Sequence, residues 1–239
     1  MSDHPATTLA PKKHGFDAEV ESTRLAESLG ETRAAEAWAA HDRVARDLLA
    51  LHRGREIDKT DGFMLLFESA TDAASYALAY HRALRLLPTP LVARAGLHVG
   101  EVVLRENSAA DVARGAKPLE VDGVAKPTAA RVMSTALRGQ TLMTAEARDA
   151  LGPDATLRVQ SHGHWRMKGL AAPIELFEIG DDESPWQPPP DGAKTYRVVE
   201  DGDLWKPVKQ VRRALRALPP RALRKGSRAC GGASRSRRG

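Results

Sequence analysis

The chain has 239 residues, of which 42% are hydrophobic and 5% aromatic, so it is long enough for one substantial domain with an aliphatic core. It holds a single cysteine, Cys230, which excludes an internal disulfide and a cysteine-ligated zinc site. Its apolar runs are too short for a membrane-spanning helix and its N-terminal residues lack the apolar segment of a signal peptide, so we expect a cytoplasmic protein.

The net charge of +5 comes from the C-terminal end of the chain. Residues 206–239 hold twelve lysines and arginines and no acid, which leaves 24 basic against 31 acidic residues in the rest. The tail is therefore the part of the chain that could contact nucleic acid or an anionic surface. It has no interleaved aromatic residues to stack on bases, which weakens the case for single-stranded nucleic acid.

The N-terminal part of the chain predicts two helices after a flexible start. Residues 1–15 are polar, and "LAPKKHGF" within them is poor strand material. Residues 22–30 carry a Ser-Thr cap and a glycine stop, which predicts a short helix. Apolar side chains then recur at helical spacing over residues 31–52, which predicts a long helix.

A hairpin and a third helix follow. Residues 55–69 alternate around an Asp61-Gly62 pair, and such a pair tolerates the positive φ angles of a tight turn. The amphipathic segment that begins at Thr71 predicts a helix, which Pro88 ends.

The following segment, residues 91–106, alternates like two strands with a turn at residues 98–100. After a loop, residues 123–137 predict a helix with Pro127 in its first turn, where proline is tolerated. A short strand, a short helix and two final strands close the domain near Gly180.

Helices interleaved with hairpins indicate an α+β fold, in which helices pack on an antiparallel or mixed sheet. We expect a flexible N-terminus over residues 1–15 and one domain over residues 16–180. A proline-rich linker is predicted over residues 181–194 and a basic, largely disordered extension over residues 195–239.

Six segments of the chain resemble, in order, the motifs of the class III nucleotide cyclases, the family of adenylate and guanylate cyclase catalytic domains. They span roughly residues 16–179 and read "ESTRLAESLG", "KTDGFMLLF", "ARAGLHVGEV", "GVAKPTAARVM", "GQTLMTAEA" and "HWRMKGLAAPIELFEI". The resemblance implies a ferredoxin-like sheet and the conversion of ATP to cyclic AMP and pyrophosphate. It also implies Mg²⁺ or Mn²⁺ held by carboxylates, and a homodimer with sites at the interface.

The resemblance assigns roles to particular residues. Asp61 at the hairpin turn matches a metal-binding carboxylate, and Asp17 lies next to the position of the other one. Lys59 and Glu120 match the two positions that read the adenine, although Lys59 precedes Asp61 by two residues where the family pattern has four. Without the resemblance, Asp61 would be a turn residue, Lys59 an exposed strand lysine and Glu120 a loop acid.

Two cationic residues complete the implied site. Arg131 in "TAARVM" matches the arginine that stabilises the transition state, and Lys168 in "MKGL" matches the lysine that binds the phosphates. A helical arginine is otherwise often only a surface residue.

Two positions depart from the family pattern. Ala18 stands where the first metal carboxylate is expected, and its neighbours Asp17 and Glu19 point to the opposite strand face. Pro127 stands where an asparagine orients the ribose, and proline offers no donor. The alternative function is therefore a catalytically degenerate module that binds nucleotide or regulates a partner cyclase.

Two histidines in "SHGHW", His162 and His164, are open to two interpretations. Their spacing lets both point to one strand face, where they could bind a metal. The sequence supplies no third ligand at suitable spacing, which favours strand-end residues near the nucleotide pocket.

Overall fold

The computed structural model describes residues 7–20, 27–59, 62–152, 157–181 and 185–209, with side chains of the first strand from Gly15 onward. Most of the basic tail, residues 210–239, lies outside the described residues, as does the predicted hairpin residue Asp61. None of the described helices is both long and apolar enough to cross a membrane.

The described part of the chain forms one mixed sheet in the order β10-β9-β7-β8-β6-β4-β1-β3-β2, with β5 paired to β4. The pairing of β4 with β6 is parallel and the other pairings are antiparallel. The strands are β1 (Thr7–Val20), β2 (Gly54–Lys59), β3 (Gly62–Phe67), β4 (Ala93–Glu106), β5 (Leu119–Asp122), β6 (Thr141–Thr144), β7 (Arg158–Met167), β8 (Ile174–Gly180), β9 (Thr195–Asp201) and β10 (Leu204–Pro207).

Helices cover the sheet and confirm the predicted α+β class. Ser69 caps α2 through its hydroxyl oxygen, which accepts from the backbone N–H groups of Thr71 and Asp72. The helix therefore begins one residue before Thr71, where the sequence predicts its start. The described helices are α1 (Glu31–Leu51), α2 (Ala70–Arg85), α3 (Ala109–Ala113), α4 (Ala125–Thr135) and α5 (Ala145–Asp149).

The first strand begins much earlier than the sequence predicts. β1 starts at Thr7 and pairs with β4 from Thr7 and with β3 from His14, so the prediction of a flexible segment over residues 1–15 is wrong for residues 7–15. Backbone hydrogen bonds to β4, joined from His14 onward by those to β3, outweigh a poor strand propensity. The pairing with β4 shifts register between Ala10 and Lys13.

The fourth strand is also longer than predicted. β4 runs unbroken through His98 and Gly100, where the sequence predicts a turn. This region pairs with β1 along its length, and the continuous ladder keeps the backbone extended. β4 thereby reaches from the core to β5, which the sequence places in a loop.

The main core lies between the sheet and α1 and α2. Phe16 is fully buried there and meets the rings of Phe67, Tyr76 and Tyr80 edge to face. These rings fix the face of β1 that points inward, because alternate residues of a strand point to opposite faces.

The other face of the sheet carries α4. Gly96 on β4 makes this contact close, since a Cβ there would lie 2.3 Å from the backbone nitrogen of Met133 and 2.6 Å from the carbonyl oxygen of Ala129. The helix backbone therefore rests directly on β4, which aligns the side chains of α4 above β1 and β4.

The sheet continues beyond the predicted domain end at Gly180. β9 pairs with β7 from His164 to Met167, and β10 pairs with β9, so residues 195–207 are ordered strands and the prediction of a largely disordered extension is wrong for them. The predicted linker is anchored as well. The side-chain amide of Gln140 donates to the carbonyl oxygen of Gln187 over 2.6 Å.

Candidate functional site

A cleft of about 390 Å³ opens between α4 and the sheet. We call it the acidic cleft because three carboxylates from two strands face the first turns of a helix across it. Its principal lining residues are Asp17 and Glu19 of β1, Asp58 of β2, and Lys126, Pro127 and Ala130 of α4.

The alternation of β1 places its two acids in this cleft. Phe16 and Ala18 are buried in the main core, whereas Asp17 and Glu19 are half-buried on the other face. Asp17 pairs in register with Met64 of β3 and, on the other side, with Gly96. Asp17 therefore faces the cleft in regular strand geometry, and Ala18 points away from it.

The carboxyl group of Asp17 is held in an unfavourable electrostatic environment. Burial and the neighbouring Glu19 raise its pKa to about 6, although a backbone hydrogen bond at Ala18 and the charge of Lys126 act in the opposite direction. No ion pair joins Asp17 to another described residue. A cation in the cleft would compensate this charge.

The other two acids of the cleft have cationic partners. Arg94 donates to Glu19 over 2.7 Å. Lys117 hydrogen-bonds Asp58 and keeps the pKa of that carboxyl below its usual range, and Lys126 Nζ lies 3.6 Å from Asp58 Oδ2. Glu19, Asp58 and Lys126 were not assigned from the sequence. Strand alternation indicates the first, but the other two meet the cleft only through the tertiary fold.

The predicted metal residue Asp61 lies outside the described residues, and no group of three His, Cys, Asp or Glu side chains suited to a metal occurs within them. Gly62, which follows Asp61 in sequence, lines the acidic cleft. It passes so close to β1 that a Cβ would lie 1.9 Å from the carbonyl oxygen of Ala18. Half-buried carboxylate oxygens such as those of Asp17 are the ligands that Mg²⁺ and Mn²⁺ prefer, so the donor chemistry fits such a metal.

Lys59 does not line the acidic cleft. It pairs in register with Phe63, whose ring lies in the main core, and its ammonium sits 5.7 Å from that ring. There it forms an ion pair with Asp42 of α1. The structure thus places Lys59 and Asp17 on opposite faces of the sheet.

Glu120 lies in β5 beside a second depression of about 400 Å³, which shares Asp58 and Lys126 with the acidic cleft. Its carboxylate accepts from the guanidinium of Arg105 and, over 3.1 Å, from the amide of Asn107. Glu120 is therefore near the cleft but tied to its own strand pair.

Arg131 contacts the turn between β7 and β8, which begins with Lys168. Gly169 has a φ of 84°, and a Cβ there would lie 2.7 Å from Arg131 Nη2, so the guanidinium rests on the turn that begins with Lys168. The backbone N–H of Lys168 donates to the carbonyl oxygen of Lys194 over 2.8 Å. The Nε of Arg131 is buried and has no hydrogen-bond partner among the described residues.

The two histidines of "SHGHW" have protein partners. His162 is buried and its Nε2 lies 2.7 Å from a carboxylate oxygen of the buried Glu178. The ring of His164 lies 4.6 Å from that of Trp205 on β10.

Comparisons with known proteins give structural matches only. No protein-family model and no curated protein matches the sequence. An adenylate cyclase structure from Trypanosoma brucei matches with a TM-score of 0.65 and 21% identity, covering 74% of this chain and 93% of the other.

Two further cyclases show the same likeness. The adenylyl cyclase CyaB from P. aeruginosa has a TM-score of 0.64 and 16% identity over 74% of this chain and 97% of its own. The guanylyl cyclase Cya2 has a TM-score of 0.60 and 18% identity over 77% and 98%. The chain therefore has the fold of the class III adenylyl and guanylyl cyclase catalytic domains, as a divergent example of it.

Proposed function

We propose that the chain is an adenylate cyclase domain that converts ATP to cyclic AMP and pyrophosphate in intracellular signalling. The observation that carries this proposal is the separation of its charged groups. Asp17 faces the acidic cleft without an ion-pair partner among the described residues, while Arg131 contacts the β7–β8 turn, which begins with Lys168 and lies outside that cleft. The shared fold supports the same conclusion.

Mg²⁺ or Mn²⁺ would be held by Asp17 and Asp61. When bound, such an ion activates the 3′-oxygen of the substrate and neutralises phosphate charge. The raised pKa of Asp17 supports this role, because a carboxyl group buried beside other acids gains most from a bound cation.

The cationic side chains would act on the phosphates. Arg131 has an unused Nε donor and would stabilise charge that develops on the α-phosphate, and Lys168 would hold the outgoing pyrophosphate. Glu120, beside the cleft, would read the adenine after releasing Arg105, its present partner. Lys59 lies on the sheet face opposite Asp17, so the adenine-reading role expected for it is not part of this proposal.

A homodimer would bring the two groups together. Each chain presents an acidic cleft and, apart from it, two cationic residues at the β7–β8 turn, Arg131 and Lys168. A two-fold arrangement that sets the cationic pair of one chain against the cleft of the other makes two equivalent sites.

The direct test is incubation of the purified chain with Mn²⁺ and ATP, with cyclic AMP measured by mass spectrometry and GTP as the competing substrate. Arg131→Ala and Lys168→Ala should each lower kcat at least about 100-fold, the size expected when a charge-stabilising donor is lost. Arg114→Ala, at an exposed position in the turn after α3, is the matched control and should be neutral. Absence of product at high enzyme concentration contradicts the proposal.

A second candidate function is a degenerate module that binds nucleotide or regulates a partner cyclase without catalysis. Pro127 favours it, because this residue lines the cleft and offers no donor to a ribose. Thermal stabilisation by Mn-ATP without turnover would identify this case.

A further inference from the structure

We propose that Lys126 is a substrate-binding residue that exchanges partners: it neutralises the cleft carboxylates in the empty chain and binds the nucleotide phosphates when a metal ion takes those carboxylates. This inference rests on the proposed function, since it concerns the same site. It assigns the role of phosphate ligand to a residue that sequence comparison with the cyclase motifs leaves unassigned.

Lys126 lies close to the cleft carboxylates and has a partly exposed side chain. It lies in the first turn of α4, and its ammonium lies 3.6 Å from Asp58 and within electrostatic reach of Asp17. About 40% of its side chain is exposed. A lysine has a flexible four-carbon stem, so its ammonium can leave Asp58 without any movement of the helix.

In the empty chain, the three carboxylates of the acidic cleft face three cationic side chains. Glu19 is neutralised by Arg94 and Asp58 by Lys117, so Lys126 is the cation left to balance Asp17 while it also lies beside Asp58. A divalent ion that enters beside Asp17 therefore meets the ammonium of Lys126 as a competing cation. Two cations beside the same carboxylates repel each other strongly in a half-buried site. The ammonium of Lys126 is the group that moves, because it lies at the end of a flexible stem.

The other residues of α4 that line the cleft have no side chain that can donate a hydrogen bond. Pro127 follows Lys126 in the same cleft and can donate no hydrogen bond. Ala130, one turn further along α4, offers no polar group. Among the described residues of α4 that line the cleft, Lys126 is thus the one with a side chain that can donate to an anion.

The test measures metal and nucleotide affinity separately, on the full chain. Mn²⁺ binding is followed by the electron paramagnetic resonance signal of the free ion without nucleotide. Nucleotide binding is followed by calorimetry with Mn²⁺ and 3′-deoxy-ATP, which lacks the attacking hydroxyl group and cannot cyclise. Lys126→Gln should bind Mn²⁺ about tenfold more tightly and 3′-deoxy-ATP about tenfold more weakly, the effect of one hydrogen bond to a charged group.

The controls separate this exchange from a structural role. Lys117→Gln removes the other lysine on Asp58 without changing the lining of the acidic cleft, and should leave the affinity for 3′-deoxy-ATP unchanged. Lys126→Arg keeps the charge and should restore most of that affinity.

Opposite changes of the two affinities in Lys126→Gln support the exchange, whether or not wild type turns over ATP. The inference is overturned if both affinities fall together, if either equals that of wild type, or if wild type binds no Mn²⁺. Cyclisation of ATP by wild type decides the proposed function independently.

Discussion

The buried carboxyl group of Asp17 lowers the stability of the metal-free chain when it is ionised, and the same group is the proposed metal ligand. Its carboxyl has a folded-state pKa of about 6 against 3.8 for an ordinary aspartate, so the folded chain binds more protons than the unfolded chain between these values. Stability therefore falls as the pH rises through this window, by roughly 2 to 3 kcal/mol in metal-free protein.

The first prediction follows from that cost. Asp17→Asn removes the buried charge, so it should raise the free energy of unfolding by about 2 kcal/mol at pH 8 in EDTA and have little effect at pH 3.5. The same variant should make no cyclic AMP. Urea unfolding checks the stability, with Glu19→Gln as the control, because Glu19 already has Arg94 as its partner. A loss of stability in Asp17→Asn at pH 8 would contradict the unfavourable electrostatic environment assigned to this carboxylate.

The stability that depends on His81 changes with pH in the opposite direction to that of Asp17, because it is lost as the pH falls. It is buried in α2, its Nε2 lies 2.8 Å from the hydroxyl of Thr141, and burial together with the charge of Arg85 lowers its pKa from 6.5 to about 4. The folded chain therefore binds fewer protons than the unfolded chain between pH 4 and 6.5. The stability that His81 contributes as a neutral ring is present above pH 6.5 and is lost as the pH falls toward 4.

A His81→Gln chain keeps a hydrogen-bonding group but cannot titrate. The wild type should lose about 3 kcal/mol more than this variant between pH 7 and pH 4, measured as the difference in urea unfolding free energy. Parallel pH profiles for the two proteins would refute the assignment.

At the scale of elements, the turn between β7 and β8 controls the position of Arg131. Gly169→Ala should lower kcat at least about tenfold, because the new Cβ displaces a guanidinium 2.7 Å away and small misplacements of catalytic groups are costly. Gly202→Ala is the matched control. Gly202 also has a positive φ, 62°, but a Cβ there meets nothing within 4 Å.

Both glycine variants share the backbone strain of an alanine at positive φ, about 1 kcal/mol. Comparable losses of stability with a loss of activity in Gly169→Ala alone would confirm the specific role of the turn. Equal activities in the two variants would contradict it.

At the scale of the whole molecule, the proposal requires two chains. A mixture of inactive Asp17→Asn and Arg131→Ala chains should recover about a quarter of wild-type activity. Half of randomly formed dimers are mixed, and each mixed dimer holds one intact site of two. Cyclic AMP production after mixing measures this recovery.

Mixing two variants from the same half of the site provides the control. Arg131→Ala with Lys168→Ala leaves no intact site in any dimer and should recover nothing. Recovery in this control, or none in the first mixture although light scattering shows dimers, would rule out shared sites.

The sequence by itself determined the α+β class, the position of most helices and the cyclase-like motifs. These features depend on periodicity and on short segments with local meaning, such as "KTDGFMLLF" and "TAARVM", which a single chain displays directly. The order of these motifs also sufficed to predict the cyclase fold.

Only the tertiary structure decided which residues of these motifs meet. Strand alternation and pairing point Asp17 toward the acidic cleft and Ala18 into the core. The close packing of α4 on Gly96 places Lys126 opposite Asp58. The early start of β1 and the hairpin of β9 and β10 likewise depend on hydrogen bonds to distant strands. Such contacts join residues far apart in sequence, so their formation is a property of the packed sheet and not of any local segment.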